Sequence, residues 1–169
     1  MTLVPLKSLK RSSQRLYALV AAGLIGTLIT VAPASSRENI AGIWYDDSGR
    51  GAVELTQCAG GFCGRIVWLK QSSAQNGRPL RDNNNPDHAQ RQRPICGLPV
   101  IWGLQPQQDG TWDEGYIYDP KVGKSYNVAI ERLSERQLRI TGYLGTKLFS
   151  RNLIWQRAPN GLERCQAPS

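Results

Sequence analysis

"AVELTQCAGGFCGRIVWLK", Ala52 to Lys70, decides the fold. Its arms, "AVELTQC" and "CGRIVWLK", carry β-branched and aromatic residues in near alternation, and the four residues "AGGF" between them supply glycine. That pattern is a β-hairpin, because branched side chains suit a pleated surface and glycine suits the tight return. The hairpin register sets Cys58 and Cys63 opposite each other, close enough to bridge.

Working outward, alternation continues in both directions and helical periodicity is nearly absent after residue 40. "GIWYDD" begins at Gly42 and turns at "SGRG" into the hairpin. Downstream come "GLPVIWGL" (97–104), "TWDEGYIYD" (111–119), "KSYNVAIERL" (124–133), "QLRITGYL" (137–144) and "LFSRNLIWQR" (148–157). Eight strands result. All connections but one are short, so sequence neighbours should be sheet neighbours. The expected fold is all-β: an eight-stranded antiparallel up-and-down barrel with one long loop after the third strand, since closure removes the exposed edges. An open sandwich is the alternative. A barrel of this size is filled by side chains or holds one small ligand.

The first 34 residues are set apart from this pattern. Lys7, Lys10, Arg11 and Arg15 precede the apolar run "LYALVAAGLIGTLITV", and "APA" ends at Ala34. A basic segment, an apolar segment and small residues in that order are a secretory signal peptide, with cleavage expected after Ala34 and a single barrel domain over 35–169. No stable membrane span would remain. Without the four leader cations, 17 basic residues face 13 acidic ones, a net charge of +4. That is mild, and it argues against nucleic acid as a partner. A periplasmic or secreted location also suits the four cysteines, all in the mature part. Cys58–Cys63 is expected from hairpin register, and Cys96–Cys165 by elimination. C-x₄-C is no standard metal-finger spacing and the one histidine has no ligand pair, so no metal is expected. "GGFCG" joins strand to strand, so it is no phosphate loop, and no cofactor is expected.

Several stretches taken together resemble an uncharacterised family of secreted bacterial proteins, domain of unknown function 2147. They are "GIWYDDSGRGAVELTQCAGGFCGRIVWLK", "NPDHAQRQRPICGLPVIWGL", "WDEGYIYDPKVGKSYNVAIERL", "LRITGYLG" and "WQR". The resemblance covers nearly all of Gly42 to Arg157 and implies a lipocalin-like barrel. "G-I-W" on a first strand and an Arg on a last strand are similar to the lipocalin pattern. The resemblance implies no catalytic residues.

Two features suggest a binding site. The connection from Gln71 to Ile95 is far longer than a hairpin needs, and ordered loops of that length often serve as lids. Its core, "DNNNPDHAQRQRP" (Asp82–Pro94), is polar, with Asn85 and Arg93 held extended by the prolines that follow them. Asp82 or Asp87 can pair with Arg91 or Arg93 to pin it, and Arg91 and Arg93 would suit an anionic head group. His88 has no nucleophile at a recognisable motif nearby. On the last strand, alternation puts Phe149, Arg151, Leu153 and Trp155 on one apolar face, which reads as the interior. Arg151 would then need an anion inside the barrel: a ligand, or an acidic partner such as Glu54 or Asp119; the alternative is an inverted strand with Arg151 in water. Trp44 and the other strand tryptophans read first as packing, with a cavity-lining role for Trp44 as the functional alternative. The expected function is therefore binding of a small amphipathic or anionic molecule. The alternatives are an envelope interaction protein with a filled barrel and, third, an enzyme.

Overall fold

A computed structural model describes residues 39–166. The expected signal peptide and its cleavage point lie outside the described residues. The chain forms eight antiparallel strands: β1 Gly42–Tyr45, β2 Gly51–Cys58, β3 Gly61–Leu69, β4 Pro99–Pro106, β5 Trp112–Asp119, β6 Lys124–Ser134, β7 Gln137–Leu144 and β8 Thr146–Arg157. They close into a barrel in the order β1 to β8, each strand bonded to its sequence neighbours and β8 bonded to β1. The sandwich alternative is thereby excluded.

The β2–β3 return is tighter than the sequence suggests. Phe62 and Gly61 belong to the strand, and only Ala59 and Gly60 turn, both at positive φ (40° and 81°). Two positive-φ residues give the turn a twist that matches the strands. Cys58 therefore pairs with Gly61 and Cys63 with Thr56. The two cysteines sit diagonally, with Cα atoms 5.8 Å apart, and are bridged. The second disulfide joins Cys96, at the foot of β4, to Cys165 in the C-terminal tail. That tail runs along the outside of the barrel, held by Cys165 N–H donating to the Val67 carbonyl and by Arg164 pairing with Glu54.

The barrel is filled at one end and hollow at the other. Ile40, Trp44, Leu55, Phe62, Leu104, Trp112, Val128, Ile130 and Leu138 are buried in one cluster. This is the end where β1 begins and β8 finishes. Inward glycines make room for the plug. A Cβ on Gly64 would lie 2.9 Å from Val53 and 3.1 Å from both Leu55 and Ile101, and one on Gly115 would meet Leu104 at 2.8 Å. Gly142 is the contrast: a Cβ there would have nothing within 4 Å. The packing ends near that level, and a cavity begins.

Candidate functional site

The cavity has a volume of about 670 Å³. That is within the range of small-molecule sites, and such sites are apolar with a few placed polar groups. Its wall is Val53, Ile66, Val100, Ile117, Ile140 and Leu153, with Trp155 among the lining residues. It opens among the β1–β2, β5–β6 and β7–β8 turns and the long β3–β4 loop, which up-and-down order puts at one end. The rim is charged: Asp46, Asp47, Arg50, Arg81, Asp119, Lys121 and Arg151 line it. Lys121 reaches Asp46 at 3.6 Å. Their two turns are on opposite sides of the closed strand order, so this pair narrows the mouth.

The long loop is ordered and folds over the rim. Leu80, Arg81, Asn84 and Ile95 contribute to the lining. Backbone bonds zip it onto itself, among them Asp82 N–H to Arg93 O (2.9 Å) and Ile95 N–H to Leu80 O (2.9 Å). Asn84 donates from Nδ2 to the Lys121 carbonyl at 2.8 Å and so ties the loop to the β5–β6 turn. That contact leaves no space at Gly123, where a Cβ would fall 1.8 Å from the Asn84 oxygen.

Polar as it is, this loop does not lie wholly on the surface. Asp82 is fully buried and Asn85 nearly so. The Asp82 carboxylate accepts from Tyr118 Oη (2.7 Å), Asn85 Nδ2 (2.7 Å) and an Arg93 guanidinium nitrogen (2.8 Å). Burial pushes its carboxyl up, but the bonds from Tyr118, Arg93 and Asn85, with the Arg93 charge, outweigh that and hold it below the ordinary carboxylate range. Burial, then the bond to Asp82, pushes the Tyr118 phenol up to about 12. Tyr118 is thus a fixed proton donor. It also lines the cavity, so the loop lock and the binding wall share a residue.

Arg93, one of the expected anion-binding residues, is therefore engaged with Asp82 as its ion-pair partner. Arg91 donates from Nε to the Asn85 carbonyl at 2.7 Å. Neither lines the cavity: both staple the loop. Asp87 caps the short 3₁₀ turn His88–Gln90 by accepting from Ala89 N–H, and His88 is exposed on that turn. Trp44 lies in the plug, fully buried, with its Nε1 donating to the Ile40 carbonyl at 2.9 Å, and it does not line the cavity.

Phe149, Arg151, Leu153 and Trp155 all line the cavity. Their burial falls along β8. Trp155 is buried, Leu153 half-buried, and Arg151 and Phe149 exposed. The expected buried charge does not exist: Arg151 sits at the mouth, in water. Its suggested partners are engaged elsewhere, Glu54 with Arg164 and Asp119 with the Lys121 backbone N–H. Sequence reading missed Tyr118, Gly142, Arg50 and Arg81 as lining residues. Tyr118 stood within the "IYDP" element of the resemblance, and that was its one signal. Among the described residues, no group of three or more His, Cys, Asp or Glu side chains is placed to hold a metal ion, and no helix is long and apolar enough to cross a membrane.

The chain belongs to the family described as "Uncharacterized protein conserved in bacteria (DUF2147)", whose model matches residues 42–157. Among solved structures it is similar to HP1028 from the human pathogen Helicobacter pylori, described as belonging to the lipocalin family. The two share 21% identity with a TM-score of 0.62, over 72% of this chain and 84% of that one. At that identity the likeness concerns the fold. No curated protein matches the chain.

Proposed function

We propose that this member of the DUF2147 family is a binding protein of the periplasm or extracellular space, and that its ligand is a small amphipathic molecule carrying an anionic head. One observation carries the reading: an apolar cavity of about 670 Å³ whose rim holds Arg50, Arg81 and Arg151. An apolar body entering the cavity releases water from Val53, Ile66, Val100, Ile140 and Leu153, at about 25 cal/mol per Å² of apolar area covered. The head stays at the rim, where it keeps part of its hydration and meets guanidinium groups. The hollow half of the barrel favours this over a filled interaction module. An enzyme is less well supported, because among the described residues the fully buried carboxylate, Asp82, is already satisfied by Tyr118 and Arg93. Two disulfides suit an oxidising compartment.

Native mass spectrometry of protein purified from periplasm tests the reading, together with titration of palmitate into wild type and Gly142→Phe. A Cβ at Gly142 has no atom within 4 Å and points into the hollow, so a ring there should fill the cavity, leave the fold intact and abolish palmitate binding. Equal binding by both proteins would place the ligand elsewhere, and no binding of any amphipathic anion by wild type would sink the proposal.

A further inference from the structure

The tip of the β7–β8 hairpin does not behave like the rest of the barrel. Leu144 is 62% exposed, Leu148 89% and Phe149 81%. Leu148 and Phe149 are adjacent on a strand, so their side chains leave it on opposite faces. In a barrel wall one of the two would be covered. Here neither is, so the hairpin is apolar on both sides. Val122, on the β5–β6 turn at the same end, is 52% exposed. Soluble surfaces carry scattered apolar residues without consequence. Four large ones gathered on one rim, three of them on one hairpin tip, call for a medium that receives them.

We infer that this rim docks on a phospholipid bilayer, with the Leu144–Phe149 tip inserted into the interface and the cavity mouth facing the lipid. A flat protein partner would cover one face of the tip and leave the other in water. A bilayer surrounds both. Charge agrees. Among the described residues Arg50 and Arg151 have no ion-pair partner and Arg81 donates only to the Gln92 carbonyl, while Asp46 is held by Lys121. The free charge behind the tip is therefore net positive, three guanidinium groups against the Asp47 and Asp119 carboxylates, and it complements anionic headgroups. Leu144, Phe149 and Arg151 also line the cavity. An amphipathic molecule leaving the bilayer would slide along the tip into the barrel without crossing water.

The test is co-sedimentation with vesicles of phosphatidylglycerol and phosphatidylethanolamine. Wild type should bind, and Leu148→Ser/Phe149→Ser should bind at least about tenfold more weakly, since two large apolar side chains that leave water on docking are replaced by hydroxyls. Both positions are exposed, so the double variant keeps its fold, checked by its unfolding midpoint. Phe149→Trp keeps the tip apolar, and its added emission should shift to the blue with vesicles and be quenched by brominated acyl chains. Failure of wild type to bind, unchanged binding by the double variant, or an unshifted Phe149→Trp would each overturn the inference. So would a concentration-dependent dimer that the double variant abolishes, because the tip would then seat on a second copy of the chain. Palmitate binding and vesicle binding separate the two proposals: either can fail while the other stands.

Discussion

The Arg157 guanidinium lies 4.1 Å from the centre of the Trp44 ring, and the two residues are also register partners across the seam that closes the barrel. That seam is narrow. β1 and β8 share two residue pairs, Trp44 with Arg157 and Tyr45 with Gln156. Arg157 reinforces it by donating from both Nη atoms to the Ala41 carbonyl at 3.4 Å, while its Nε donates to the Glu135 carbonyl in the β6–β7 turn at 2.7 Å. Gly42, at φ +127°, lets the guanidinium approach: a Cβ there would fall 2.4 Å from Nη1.

Arg157→Ala should therefore lower stability by about 1–2 kcal/mol, from the lost cation–π contact and the stem packed over the ring. Arg157→Met keeps the packing and should recover part of the loss in urea unfolding. Neither should change palmitate affinity, because Trp44 and Arg157 are in the plug. A large affinity change would mean that plug and cavity are not independent.

Asp82 gives the loop a pH dependence with a definite sign. Its folded-state pKa lies below the unfolded value, so its stabilisation is present above about pH 4 and is lost as pH falls through the folded value. Asp82→Asn should cost roughly 2–4 kcal/mol at neutral pH, since it leaves Arg93 without its charge partner, and should flatten the acid limb of the stability curve. Hydrogen exchange over residues 82–94 should accelerate in the variant. An unchanged acid limb would show that Asp82 is not the group responsible.

Strand order was legible from alternation and turn glycines, and both disulfide pairings from the hairpin and cysteine parity; the exact hairpin end was not, because Gly61 and Phe62, read as loop, join β3 and set Cys58 and Cys63 diagonally. The side on which β8 residues point was legible for the same reason. Their depth was not. β8 has 12 residues and β1 has four, so β8 runs on beside β7 past the end of β1, and Arg151 keeps its inward direction while lying at the open side of the mouth. Period-two patterning reports direction and carries no information about how far a neighbouring strand extends. Asp82 shows a second limit. An Asp–Arg pair in the loop could be read from sequence, but its burial depends on Tyr118, 36 residues away, and no local pattern encodes that meeting. Trp44 shows a third: a strand tryptophan facing inward is a plug or a cavity wall according to the residues packed above it.

The two disulfides should contribute unequally. Cys58–Cys63 closes a separation of 5 residues and Cys96–Cys165 one of 69. By chain entropy the first contributes about 2 kcal/mol and the second about 4. Paired serine substitutions, measured by urea unfolding, should fall in that order. Cys96→Ser/Cys165→Ser should also raise exchange along the tail, because the remaining anchors are the Cys165 backbone bond to Val67 and the exposed Arg164–Glu54 pair. Equal costs would mean that the unfolded chain is already constrained near Cys96.

Arg151 tests how the head group is held. Inside a barrel, a charged hydrogen bond would be worth about 1.5–3 kcal/mol. Arg151 is instead exposed at the mouth, where water screens the pair and the range for surface ion pairs, about 0.2–1 kcal/mol, applies. Arg151→Met should therefore weaken palmitate by about twofold to fivefold and leave hexadecanol unchanged. The apolar wall should dominate, so Gly142→Phe should abolish both. Raising salt should reduce the wild-type preference for palmitate over hexadecanol and have little effect in Arg151→Met, because the screened interaction is the one already removed. If Arg151→Met weakened palmitate a hundredfold, the guanidinium must turn inward with the ligand and become desolvated. If it weakened hexadecanol as much as palmitate, Arg151 would act through the packing of its stem beside Phe149 and Leu153, and the anionic head would have to be recognised by Arg50 or Arg81.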